Sequence, residues 1–363
     1  MNLVDMILFN AAHSPHKVAI AAHQVAVPYG ELGHAILAAA RKLKALGLQA
    51  GTVAGVHVVH PIDHLVLTCA LYRVGVGSVP IESLGANADG LPALSMILTD
   101  RILPPALSQR FATTIVLFDP SWFKEQAEIG DERRGFSEVY PGTSAGGDWI
   151  ARAFVDADDP RGRIVTLTAA QLVAQLSHYH MSAHPRWDRL ITTFGLYSNP
   201  GYLLPLMALW LGRTVCFAAP DTVREFVMLH GHDYLVTPLR HAEAIVRQQD
   251  DSFRSMHNLR GAFVFGDAFD KAAVMRMQAA LTSNLLCGLA TPASGLVAFA
   301  PADRFKGESV CSGFLAPWAE CGTDDTTGAL RVRSKAPATA SGGWDTLGFK
   351  GMLRDDGMVQ STR

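Results

Sequence analysis

The sequence predicts an α/β fold of two doubly wound halves followed by a small β-rich module. Three observations predict it. From residue 29 to about residue 120, apolar strand-like runs alternate with segments of helical periodicity. The same alternation resumes after residue 163. Past about residue 300 helical periodicity stops, glycine and proline rise, and short strands alternate with turns. Composition allows such a core: of 363 residues, 49% are hydrophobic and 18% charged, which excludes a disordered chain. A net charge of −2 gives no basic field for a polyanion, so nucleic acid is not an expected partner.

Each element follows from its pattern. Tyr29 to Leu46 places Leu32, Ile36, Leu37, Ala40 and Leu43 on one helical face, with Arg41, Lys42 and Lys44 opposite, and Gly47 ends it. Val53–Val59 reads as a strand, His64–Val74 as a helix stopped at Gly75, and Ser78–Ile81 as a short buried strand. Leu94–Thr99 and Thr113–Phe118 are two more strands, separated by the Pro104-Pro105 break and a short helix. Residues 120–150 are polar and irregular, a loop or linker. Val165–Thr168 and Ala169–His180 restart the strand-helix alternation. Leu190 to Gly212 is long and uncharged, but Asn199, Pro200, Gly201 and Pro205 make it a buried strand, turn and helix, not a membrane span. Strands at Thr214–Ala218, Tyr234–Val236 and Ala262–Phe265 alternate with helices at 221–230, 239–249 and 270–282, and Ala329–Arg333 is a strand of the last module. The implied division is an α/β subdomain over 1–190, a second over 191–300, and a β-rich module over 301–363.

Five cysteines at unrelated spacings read as reduced thiols. The first residues carry Asp5 and no basic leader, so no signal peptide is expected. Both point to a cytoplasmic protein. His178, His180 and His184 are too poor in carboxylate or thiol company to predict a metal site, and His230 and His232 read as part of a loop. No nucleophile elbow supports a hydrolase.

Three passages resemble a known family. Ser14-Pro15-His16-Lys17-Val18-Ala19-Ile20, followed by Val27-Pro28-Tyr29-Gly30-Glu31-Leu32, is similar to the opening of adenylate-forming enzymes. Leu46 to Ala54 and Ala70 to Ile81 are similar to that family's next two passages. Gly343-Trp344, then Gly348 to Gly357, resembles its "gw..TGDlGyld.dG" run. The chain thus resembles the large N-terminal domain of the ANL superfamily: acyl- and aryl-CoA synthetases, adenylation domains and luciferases. The resemblance implies two α/β subdomains plus a distorted β-barrel, and activation of a carboxylate by ATP and Mg²⁺.

The family's chemistry-bearing positions are altered here. Its phosphate loop, "TSGTTGxPKG", uses glycine backbone N–H groups, hydroxyls and a lysine to hold phosphates. The equivalent Val155-Asp156-Ala157-Asp158-Asp159-Pro160-Arg161-Gly162-Arg163-Ile164 puts Asp156, Asp158 and Asp159 among those positions and keeps only Arg163 as a cation at the Lys position. One carboxylate about 6 Å from a phosphate charge costs roughly 3 kcal/mol at an effective dielectric near 20. The "YGxTE" segment falls on Cys287-Gly288-Leu289-Ala290-Thr291, continuing to Ser294-Gly295; either register loses the Glu that holds Mg²⁺. The "TGD" aspartate that grips ribose falls on Phe349. The adenine-side turn becomes Phe265-Gly266-Asp267-Ala268, and the usual His before the acyl pocket becomes Ser198. The family's hinge Arg falls on Arg363, where the mobile lid domain and its lysine would begin.

The resemblance and these losses together predict an AMP-dependent synthetase-like pseudoenzyme, with ATP-dependent carboxylate activation lost or strongly impaired. The expected degenerate nucleotide contacts are Asp156, Asp158, Asp159, Arg163, Gly266, Asp267, Gly288, Thr291 and Phe349. The expected pocket residues are Tyr197, Ser198, Asn199, Gly201, Phe265 and Gly288. Expected partners are a small carboxylic acid, its acyl or aryl thioester, or a protein. ATP and Mg²⁺ are the family's ligands, with their motifs degraded here. Two alternatives stay open: an active ligase whose lid is supplied separately, and a structural subunit of a ligase complex.

Overall fold

The computed structural model describes residues 3–22, 25–84, 90–111, 113–123, 148–155, 163–183, 187–248, 259–305, 310–334 and 344–361. The chain forms two compact units. The first comprises Met1–Val173, Gly195–Tyr197 and Leu209–Gly212; the second comprises Ala174–Phe194, Ser198–Ala208 and Arg213–Arg363.

In the first unit, α1 (Asp5–His13) precedes an antiparallel hairpin of β1 (Val18–Ala22) and β2 (Val25–Pro28). The long helix α2 (Tyr29–Ala45) buries Leu32, Ile36, Leu37, Ala40 and Leu43, the stripe its periodicity predicts. There follow β3 (Val53–His57), α3 (Pro61–Arg73), β4 (Gly77–Pro80), β5 (Leu94–Thr99), α4 (Pro105–Arg110), β6 (Thr114–Leu117), β7 (Ile150–Val155) and β8 (Ile164–Thr168). Their sheet has the order β6-β5-β3-β4-β7-β8. Neighbours are parallel except β7 with β8. The chain runs from β3 to β4 on one side, then places β5 on the other side of β3. That reversal is a topological switch point. The core gathers Val53, Val79, Ile81, Ile97, Ala153 and Ile164.

Several boundaries differ from the sequence expectation, most by one or two residues. The strand at Val53 ends at His57, and the helix expected from His64 starts at Pro61, whose preset φ suits a first helical turn. The irregular stretch drawn to residue 150 gives way there to β7, whose apolar run was masked by Arg152; residues 124–147 lie outside the described residues. β4 and β7 can lie side by side because position 77 has no side chain. A Cβ at Gly77 would stand 2.3 Å from the Ile150 carbonyl oxygen.

Helix α5 (Ala169–Ser182) begins in the first unit and continues in the second. The uncharged run then forms β9 (Arg189–Thr192) and α6 (Asn199–Trp210), as its pattern predicts. β10 (Thr214–Phe217), α7 (Val223–His230), β11 (Tyr234–Pro238), α8 (Leu239–Arg247), β12 (Gly261–Phe265), α9 (Lys271–Ala280) and β13 (Leu285–Thr291) continue the alternation. Six more strands follow: β14 (Gly295–Pro301), β15 (Cys311–Leu315), β16 (Ala319–Thr323), β17 (Ala329–Ser334), β18 (Asp345–Leu353) and β19 (Met358–Ser361). Within the second unit the strand order is β16-β17-β18-β19-β15-β14-β13-β12-β11-β9-β10. β10 through β13 pair in parallel, and every later pair is antiparallel. The chain runs from β9 to β10 on one side and then to β11 on the other, a second switch point. Leu289, Val297, Leu330, Val332, Leu347 and Val359 anchor the core of the antiparallel part. Among the described residues, no helix is long and apolar enough to cross a membrane.

Candidate functional site

In open α/β sheets, ligands bind beyond the carboxyl ends of the strands at the switch point. In the second unit that place is framed by Thr193 and Phe194 after β9, Thr237 at the end of β11, and Phe265-Gly266-Asp267 at the end of β12. The Thr193 and Thr237 hydroxyl oxygens lie 2.7 Å apart, both buried. His241, on the first turn of α8, places Nδ1 3.2 Å from the Thr193 carbonyl oxygen and 3.1 Å from its hydroxyl. Burial, then the Arg240 charge, pull the His241 pKa below the usual imidazole value. Phe265 is the hub of the ring contacts, 5.8 Å from Phe194 and 6.1 Å from Tyr179, both edge-on, and stacked on Phe263 at 4.2 Å. The small residues make room for this packing. A Cβ at Gly266 would stand 3.0 Å from the Leu239 Cβ, and one at Gly288 would stand 2.7 Å from the Phe263 ring.

A buried polar network lies on α5, the start of α6, the β13–β14 turn and β18. Tyr179 donates to Asn199 Oδ1 at 2.8 Å. Asn199 Nδ2 donates to Gln175 Oε1 at 2.7 Å and to the Pro292 carbonyl at 3.2 Å. Gln175 donates to the Ala293 carbonyl at 2.6 Å. On the other side of the turn, the hydroxyls of Thr291 and Ser294 both donate to Asp345 Oδ2, each at 2.9 Å. Gln175, Tyr179, Asn199, Thr291, Ser294 and Asp345 are all buried. Their polar groups are therefore committed to one another, which is what burial requires. Gly295 closes the turn with φ at +68°, a conformation that favours glycine.

The first unit has its own buried polar centre. Arg152, with no exposed surface, donates to Ser78 Oγ at 3.0 Å, to the Leu196 carbonyl at 2.8 Å and to His64 Nε2 at 3.4 Å. His64 Nδ1 donates to the Val58 carbonyl at 3.1 Å, and Nε2, facing the Arg152 guanidinium, accepts, so the ring is neutral with its proton on Nδ1. Burial and the Arg152 charge push the His64 pKa down to about 3.

The expected site residues fall in several places. Asp156, Asp158 and Asp159 lie outside the described residues, and Arg163, half-buried, stands just before β8 in the first unit. Tyr197 belongs to the first unit and is 45% exposed. Ser198 caps the start of α6, its hydroxyl accepting from the Gly201 N–H at 3.2 Å. Asn199, Phe265, Gly266, Gly288 and Thr291 lie on the second-unit elements described above. Asp267 is exposed, and its carbonyl accepts from the Ser312 hydroxyl. Phe349 lies on the inward face of β18 and packs against the core around Leu289 and Leu330. Sequence reasoning missed Gln175, Tyr179, Thr193, Thr237, His241 and Asp345. A usable signal existed for Asp345, the one acid in the inward-facing series Asp345, Leu347, Phe349 and Gly351.

The Thr291 hydroxyl is held by Asp345, Phe349 offers no hydrogen-bond acceptor, and the turn carries no carboxylate of its own. Among the described residues, no three His, Cys, Asp or Glu side chains gather as a metal site.

No protein-family model matches the chain, and no curated protein matches it. Solved structures do. Unliganded O-succinylbenzoate coenzyme A synthetase (MenE) from Bacillus subtilis matches with a TM-score of 0.77 at 14% identity, over 98% of this chain and 78% of that one. ATP-bound MatB from Rhodopseudomonas palustris matches with a TM-score of 0.77 at 17% identity, over 99% of this chain and 78% of that one. The amide bond synthetase McbA from Marinactinospora thermotolerans matches with a TM-score of 0.78 at 15% identity, over 98% and 78%. The paired α/β units and the antiparallel strands that follow them thus have the fold of the adenylate-forming enzymes of the ANL superfamily.

Proposed function

We infer that this protein binds a small carboxylic acid, or its acyl or aryl thioester, at the switch point of the second unit, and that ATP-dependent activation of that acid is lost or strongly impaired. The observation that carries the reading is the double hydrogen bond to Asp345. In the family this chain resembles, the turn after β13 offers a hydroxyl and a carboxylate to the nucleotide and Mg²⁺. Here the hydroxyls of Thr291 and Ser294 are spent on the protein's own carboxylate. Bringing a phosphate to that turn means placing it beside the buried Asp345 charge or breaking both bonds, and either is unfavourable. The crevice at the ends of β9, β11 and β12 uses different residues. Loss at the turn therefore does not by itself remove a ligand site there.

Thermal-shift measurements separate the readings. Ligands that bind the folded state raise the melting temperature by mass action, by about 2.7 kcal/mol of stabilisation at a hundredfold excess over Kd. Aryl and fatty acids and their CoA thioesters should include at least one that raises it, while ATP·Mg²⁺ and AMP should not. A shift with ATP·Mg²⁺ would instead support an active ligase with its lid supplied separately. Silence across all of them would remove the small-ligand reading and leave a structural subunit.

A further inference from the structure

The geometry points to His241 as a specificity-determining residue: Nε2 accepts a hydrogen bond from a hydroxyl or amino substituent on an aromatic ring that lies against Phe194 and Phe265. This rests on the reading above, that the second-unit crevice is a ligand site, and names the class of ligand it takes.

The argument starts from the tautomer. His241 Nδ1 faces the Thr193 carbonyl oxygen at 3.2 Å, and a carbonyl oxygen can only accept. Nδ1 therefore carries the proton. The same N–H is shared with the Thr193 hydroxyl oxygen at 3.1 Å, which leaves that hydroxyl free to donate to Thr237 at 2.7 Å. The ring is thus oriented by the buried Thr193, whose hydroxyl is in turn held by Thr237. Partial burial and the neighbouring Arg240 both disfavour a second proton. A neutral ring protonated on Nδ1 presents a bare lone pair at Nε2. Among the described residues no hydrogen-bond partner meets Nε2. His241 is only partly buried, so the lone pair is open to a ligand.

Such a group selects by polarity of hydrogen bonding. It rewards a donor, such as a phenolic O–H or an aromatic N–H, and offers nothing to a carboxylate or an ether oxygen. The neighbouring walls select by shape. Phe194 follows Thr193 directly, and the Phe265 ring stands edge-on to it at 5.8 Å. Leu239, two residues before His241, fills the space left by the missing side chain of Gly266, directly after Phe265. The imidazole and the two phenyl rings therefore belong to one corner of the second unit, at the ends of β9, β11 and β12.

Isothermal titration on the full chain tests this with 3- and 4-hydroxybenzoate, their methoxy counterparts and octanoate. At least one hydroxybenzoate should bind about fivefold more tightly than its methyl ether, the size of one neutral hydrogen bond. In His241→Phe the preference for the hydroxybenzoate over its methyl ether should vanish. Equal affinities in the wild type, or a preference that survives in His241→Phe, would overturn the assignment. Octanoate binding with no aromatic acid bound would overturn it while leaving the pocket reading standing; no binding of any acid would remove both. Should His241→Phe fail to fold, ¹⁵N chemical shifts of the wild-type imidazole decide: a proton on Nδ1 is expected, and a proton on Nε2 sinks the proposal.

Discussion

Single side chains carry the sharpest consequences. Asp345 is buried and receives the Thr291 and Ser294 hydroxyls. In Asp345→Ala both hydroxyls stay buried without this acceptor, at about 1–3 kcal/mol for each group left unsatisfied. Stability to urea should fall by about 2–4 kcal/mol, and Asp345→Asn, which keeps an acceptor, should lose less. A change below about 0.5 kcal/mol in the alanine variant would show that the bonds do not hold the turn. His64 and His232 act on pH dependence. Burial lowers the first pKa to about 3 and the second to about 4. The unfolded chain takes up these protons near pH 6.5, whereas the folded chain refuses them until much lower pH. The stability they contribute is fully present above pH 6.5 and is lost as pH falls toward 4. Each should contribute a slope of about 1.4 kcal/mol per pH unit in that window. Urea midpoints at pH 7, 6 and 5 check the slope; a flat profile would mean both rings charge in place.

Elements depend on how closely backbones approach. β4 and β7 are neighbours because Gly77 leaves room for the Ile150 carbonyl, 2.3 Å from where a Cβ would be. A backbone atom cannot swing aside as a side chain can. Gly77→Ala should therefore cost about 2–4 kcal/mol and show as a lowered urea midpoint; a neutral result would mean the two strands separate freely. The elements the sequence left unread have a common cause. β7 was hidden by Arg152, a charge inside an apolar strand that the fold buries against Ser78 and the Leu196 carbonyl. The β13–β14 hairpin was read only as a motif, because its two strands are joined by the polar turn Pro292-Ala293-Ser294. α2, α8 and α9 were plain in the sequence, since their apolar spacing does not depend on distant residues.

At the scale of the molecule, alternation of period was enough to predict two wound halves and a β-rich end. The candidate site was legible only where one segment supplies several residues, as at Ser198-Asn199 or Phe265-Gly266-Asp267. Gln175 and the Ala293 carbonyl are 118 positions apart, and His241 and Thr193 are 48 apart. Nothing local in either segment names its partner. The proposed binding site also makes a prediction over the whole chain. With a bound aromatic acid, amide exchange should slow at 193–194, 239–242 and 265–268, and stay unchanged in β3, β4 and β5. Protection spread equally over both units would argue against a site confined to the second.

The clasp on the β13–β14 turn also gives the chain a direction of evolutionary travel. On the proposed reading, a return to nucleotide binding requires the Thr291 hydroxyl to be released. The first step of that return removes Asp345 and leaves a less stable protein with no new activity to show for it. A later step restoring a carboxylate near the turn meets a fold already weakened. A population could cross that valley only with a second change elsewhere that stabilises the unit in advance. On that reading Asp345 works as a ratchet, and the route away from nucleotide binding is far easier than the route back.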